Sequence, residues 1–111
     1  MKNIIEHLAL EPHPEGGYYK RIFEGEPLAT PLGDRPTATA IYYLLQKGDF
    51  STWHRLLSDE IWFFHEGCPI EIHCFSKEHE YFSRVIGPVS LGFLPHMEVS
   101  AGTVFAAAPK E

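Results

Sequence analysis

The sequence predicts an all-β domain, a sandwich or barrel of short strands, and three observations carry that expectation. The chain has the length of one domain at 111 residues, with 44% hydrophobic and 14% aromatic residues to fill a packed core. Short apolar runs rich in Ile, Val, Phe, Tyr and Thr recur at even spacing, divided by turn signals such as Glu66-Gly67, Lys77-Glu78 and Gly87-Pro88. No internal repeat, low-complexity tract or linker interrupts them, so residues 1–111 read as a single domain.

The elements follow in chain order. Asn3 with Glu6 three residues later forms a capping-box pattern, and Ile4, Ile5 and Leu8 share one helical face, so a short helix is expected over about residues 3–9. Pro12 and Pro14 stop it. They also stiffen the segment that carries His13 and Glu15, and Gly16-Gly17 supply the turn that launches a first strand at Tyr18. From Glu24 to Pro36 the residues Gly25, Pro27, Pro31, Gly33, Asp34 and Pro36 bear no core pattern and read as a loop. Thr37–Leu45 is the strongest strand, and its apolar run on both faces from Ile41 to Leu45 predicts burial on both sides, as when a partner subunit covers the sheet. Further strands are expected at Ser51–Leu57, Glu60–His65, Ile70–Phe75, Tyr81–Ile86 and Thr103–Ala108.

Charge and compartment narrow the function classes. Nine Lys and Arg against 15 Asp and Glu give a formal charge of -6, which lacks the basic face a nucleic-acid backbone demands. No apolar run approaches the roughly 18–20 residues that cross a bilayer, and the start lacks the apolar region of a signal peptide, so the expectation is a cytoplasmic protein without membrane contact. Cys68 and Cys74 fit neither a zinc ribbon nor a Cys-x-x-Cys pair and read as buried or half-buried thiols.

The chemistry concentrates in residues 48–67, where Gly48, His54, Glu60 and Gly67 frame two strands. Alternation places His54 and residue 56 on one strand face, and Glu60 can return to that face after a turn at Ser58-Asp59. This stretch resembles the first motif of the cupin superfamily, Gly-x5-His-x-His-x3-Glu-x6-Gly, at every fixed position except Leu56, which stands where the second His belongs. The remnant of the second motif is Ser100-Ala101-Gly102-Thr103-Val104-Phe105, with Phe105 at its His position. His13-Pro-Glu-Gly-Gly-Tyr18, Thr39–Leu45, Trp53-His-Arg55 and Ser58–Trp62 further resemble the compact cupin-5 branch.

The resemblance implies a double-stranded β-helix jelly roll, commonly a homodimer, with a pocket in the barrel and likeness to nucleotide-sugar epimerases. Members of this branch normally continue past the position of Pro109 with strands that complete the barrel, so the expectation is either a C-terminally truncated cupin domain or unpaired sheet edges covered by strand exchange or by a dimer partner. In a metal cupin the inward face would hold ligands at 54, 56 and 60. A zinc or non-haem iron site generally needs about three protein ligands, and His54 with Glu60 falls short of that count. His65 and His73 alternate away from this face, so no metal or other cofactor is expected.

Three functional readings result. In the first, the chain binds a small polar molecule such as a sugar nucleotide and moves a proton next to a carbonyl. His54 is the general base, Glu60 orients it, and a tyrosine among Tyr18, Tyr42 and Tyr43 is the acid, with Tyr43 taken first. His13, Glu15 and Tyr18 close one end of the pocket, and Trp62 lines it from the Glu60 face. Arg55 alternates away and suits a surface or interface ion pair, whereas Trp53 suits the core or a dimer interface. The bland version has His54 and Glu60 hydrogen-bonding each other inside the barrel. In the second reading, His13 or His96 completes a metal site for an oxygenase or isomerase. In the third, the barrel is a non-enzymatic binding or structural module.

Overall fold

The computed structural model describes residues 3–110. The chain divides into two compact units, Met1–Leu44 and Leu45–Glu111, and each is built by its own strand pairing.

The first unit opens with helix α1 (Ile4–Leu8), and the expected cap is in place. The Asn3 side chain accepts from the Glu6 backbone N–H at 2.9 Å, and Ala9 ends the helix in the left-handed conformation at φ 55°. Strand β1 (Glu11–Pro12) pairs with β2 (Tyr18–Glu24), which pairs antiparallel with the later strand β5 (Thr39–Leu44). Between them the expected loop is a hairpin of β3 (Pro27–Thr30) and β4 (Gly33–Pro36). Backbone pairing builds it without an alternating apolar face. The turn closes as Thr30 Oγ1 donates to the Gly33 carbonyl at 2.6 Å, and Gly33 takes the φ of +104° that other residues avoid.

The Ile41–Leu45 run was expected to be buried on both sides with a partner subunit over the sheet, and within the single chain it is partly open. Strand β5 is the edge of its sheet, and Ile41 and Tyr42 remain 39% and 36% exposed.

The second unit holds the core. Strands β6 (Ser51–Arg55), β8 (Ile70–Phe75), β9 (Tyr81–Ile86) and β11 (Val104–Pro109) form an antiparallel sheet in the order β6-β11-β8-β9. Strand β7 (Glu60–Phe63) pairs antiparallel with β10 (His96–Val99) as a separate ribbon. The predicted strands in this half are all present, some shortened by a residue or two. Strand β10 was not expected, although Met97 and Val99 alternate as buried with exposed His96 and Glu98. The inner faces of sheet and ribbon bury Ile72, Cys74, Ile86, Met97, Val99, Phe105 and Ala107 as one cluster. Cys74 is buried as expected, whereas Cys68 is exposed, in the turn after β7.

Candidate functional site

The registers bring His54, Glu60 and Trp62 together. Phe105 of β11 opposes His54 of β6, so both point to the inner face of the sheet, and their ring centroids lie 4.3 Å apart at 50°. Glu60 and Trp62 alternate with exposed Ile61 and Phe63 on β7, which turns both toward the buried cluster. Trp62 meets the Phe105 ring edge-on at 6.3 Å, and Leu56 packs on the cluster just after β6 ends. Ala101 N–H donates to Asp59 Oδ1 at 2.8 Å, tying the turn before Glu60 to the residues leading into β11.

The polar groups in this apolar setting have defined partners. Trp62 Nε1–H donates to Glu60 Oε1 at 2.5 Å. Burial raises the Glu60 carboxyl above the ordinary carboxylate range, opposed in part by the Trp62 hydrogen bond and by the charge of His54. His54 Nδ1 lies 2.7 Å from the Thr52 carbonyl oxygen. A carbonyl can only accept, so in the neutral ring the proton sits on Nδ1 and the lone pair on Nε2. His54 and Glu60 therefore do not hydrogen-bond each other. Each is held by a neighbour two residues away on its own strand, and they interact through charge alone.

The candidate ligand contacts of the first unit form a second cluster. His13 Nδ1 accepts from the Glu15 backbone N–H at 2.9 Å, and its ring meets Tyr19 at 4.8 Å and Tyr43 at 5.0 Å. The Tyr43 hydroxyl donates to the Gly16 carbonyl, pinning the Gly16-Gly17 turn. Tyr19, not singled out from the sequence, takes this face because it opposes Tyr43 in the β2–β5 register, which leaves Tyr18 opposite Leu44 with its side chain on the other face.

The donor set does not fit a metal ion at the inner face. Leu56 and Phe105 fill the positions where the motifs carry further His ligands, and both are carbon throughout. His96 alternates to the outer side of β10, away from Met97 and Val99, and stacks at 6.4 Å on Phe63. His73 lies on the opposite face of β8 from buried Ile72 and Cys74, with Nδ1 2.6 Å from the Tyr81 hydroxyl and Nε2 3.6 Å from Glu71. Among the described residues no group of three or more His, Cys, Asp or Glu is placed to hold a metal.

Two cavities accompany this arrangement. One of about 410 Å³ is lined by Phe64, His65, Glu66, Gly87, Pro88 and Pro95, among others. A second, of about 330 Å³, lies where β8, β9 and β10 meet. Neither is lined by His54 or Glu60.

With this geometry in hand, comparison with known proteins is decisive on family. The family model Cupin_5, described as cupin superfamily (DUF985), matches residues 2–111. The chain belongs to this family. Its all-β architecture is that of a jelly-roll cupin, as the Gly48–Gly67 motif implied. A hypothetical protein from Leishmania major is similar in structure at a TM-score of 0.84 and 32% identity, over 94% of this cupin and 66% of that chain. A crystal structure of a protein from Shewanella oneidensis is similar at 0.86 and 35% identity, over 100% of this cupin and 72% of that chain. This cupin thus spans about two thirds of the Leishmania chain's length. No curated protein matches. Among the described residues no helix is long and apolar enough to cross a membrane.

Proposed function

We propose that this cupin binds a small polar molecule at His54 and Glu60 without a metal and moves a proton there, as in epimerisation or isomerisation next to a carbonyl of a sugar nucleotide. The observation that carries the reading is the Thr52 carbonyl on His54 Nδ1, which leaves Nε2 as a base. Nε2 takes the proton from the carbon beside the carbonyl, the C–H bond breaks, and its electron pair moves onto the carbonyl oxygen as an enolate. A proton must then return to carbon. Glu60, whose carboxyl burial favours the protonated form, is the group of this unit suited to carry it. Trp62 fixes the orientation of that carboxyl.

His13, Glu15 and Tyr18 are proposed ligand-binding residues of the first unit, and Tyr43 is the alternative proposed proton donor, each to be tested by its own variant. Exposed Ile41 and Tyr42 on edge strand β5 are the proposed contact of a homodimer, and a stable monomer in sedimentation would end that part. The deciding experiment is solvent-deuterium exchange into nucleotide-linked keto sugars. Exchange lost in His54→Ala with the fold intact supports the enzyme. Binding without exchange supports a non-enzymatic module, a second reading favoured by the absence of His54 and Glu60 from either cavity lining.

A further inference from the structure

The inner face of the four-stranded sheet carries a lateral row of side chains. His54 opposes Phe105, Phe105 opposes Cys74, and Cys74 opposes Phe82, running from β6 through β11 and β8 to β9. Opposed residues of antiparallel strands point to the same face, so Phe105 stands as a wall between His54 and Cys74. The ribbon repeats the division, since Trp62 and Glu60 of β7 oppose Met97 and Val99 of β10. On one side of the wall lie His54, Glu60 and Trp62. On the other lies the cavity of about 330 Å³, whose lining includes Cys74, Phe82, Arg84, Val99 and Thr103.

Arg84 gives this cavity its chemistry. It opposes Ile72, which is fully buried, so the Arg84 stem leaves β9 on the inner face. Among the described residues no carboxylate stands within ion-pair distance of its guanidinium, in a chain whose formal charge is -6. Cys74 supplies no counter-charge either, because burial pushes its thiol up and keeps it neutral, although the Arg84 charge acts against this. Glu98 and His96 of β10 also line the cavity, but the Glu98 carboxylate stands outside ion-pair distance of the Arg84 guanidinium. The hydroxyls of Ser100 and Thr103 add to the polar lining, and among the described residues β10 has β7 alone as a hydrogen-bonded strand neighbour, which leaves its other edge with backbone groups to offer. The volume sits at the lower end of the roughly 300–1,000 Å³ range of ligand sites.

We propose that this cavity is a binding site for a small molecule bearing one oxyanion, a carboxylate or a phosphate, which pairs with Arg84 while its uncharged part packs on Phe82, Met97 and Val99. A guanidinium presents a planar fork of donors that matches either oxyanion, and hydroxyls at the same cavity can take a further oxygen. The site is independent of proton transfer at His54, from which Phe105 separates it. The competing explanation is that an inward charge on edge strand β9 only discourages edge-to-edge pairing.

The test is titration of the whole chain with inorganic phosphate and, separately, with acetate at constant ionic strength, followed by amide chemical shifts. The expected result is saturable shifts centred on Arg84, Ser100 and Thr103, weakened roughly 10-fold or more in Arg84→Gln and only partly in Arg84→Lys. Arg55→Gln, on the outer face of β6, should leave them unchanged. A response to phosphate alone identifies a phosphate ester as ligand, and a response to acetate a carboxylate. Absence of saturable shifts with both anions overturns the proposal, as does an unchanged response in Arg84→Gln. Aggregation of Arg84→Gln without any anion response in the parent would assign Arg84 to edge protection instead.

Discussion

Replacing Phe105 by Ala is the most demanding perturbation of this arrangement, because one ring serves the core, the floor under His54 and the wall between two compartments. Phe105 is fully buried, lies 4.3 Å from the His54 ring and meets Trp62 edge-on at 6.3 Å. Truncating such a ring costs about 3–5 kcal/mol, the sum of lost burial and an unfilled cavity. At about 4–8 °C per kcal/mol for a small domain, the melting temperature should fall by about 12–40 °C. Urea unfolding followed by tryptophan fluorescence measures this directly, since Trp62 reports on the same contact. Phe105→Leu keeps the wall and should cost under about 1.5 kcal/mol. A Phe105→Ala variant that folds and loses less than about 1 kcal/mol would refute the reasoning, because a ring that can be removed at that cost neither fills the core nor divides it.

Three further outcomes follow from the same contacts. Because burial raises the Glu60 carboxyl, the folded chain binds that proton more tightly than the unfolded chain, so this contribution is fully present below the ordinary carboxylate range and is lost as pH rises through the folded value; Glu60→Gln should flatten that fall in a series of unfolding curves at graded pH. Trp62→Phe removes the 2.5 Å bond, should cost about 1.5–3 kcal/mol where Glu60 is ionised, and should move the carboxyl titration seen by carbon NMR still higher. Leu56→His adds a third donor beside His54 and Glu60 and should create a divalent-metal site, read by calorimetry with nickel or zinc as binding at least about 10-fold tighter than in the parent.

Much of the fold was legible because its signals are local. Asn3 and Glu6 announced the helix cap, and Ile70–Phe75 and Tyr81–Ile86 announced strands by alternation and flanking turns. What escaped depended on partners far along the chain. The β3–β4 hairpin is held by backbone pairing on an exposed surface and leaves no apolar pattern, and β10 is too short to stand out without its partner β7.

The candidate site was legible in part for the same reason. Strand alternation placed His54, Leu56, Glu60 and Trp62 on one face, and the motif positions of Leu56 and Phe105 marked where donors are absent. The partner of His54 could not be read, because the Thr52 group involved is a backbone carbonyl that every residue possesses. Arg84, which stays exposed, was overlooked because its place in a cavity lining comes from register opposite Ile72, which cannot be read before the pairing is known.

The state of the His54 ring nitrogens tests the account most directly. Nitrogen-15 NMR of histidine-labelled protein, above the pH at which the ring takes up a second proton, should show the proton on Nδ1 and an unprotonated Nε2. A proton on Nε2 would contradict it by showing that the Thr52 carbonyl does not set the tautomer, and an Nε2 signal shifted by a bound metal ion would contradict it by showing that the lone pair serves a metal instead of a proton.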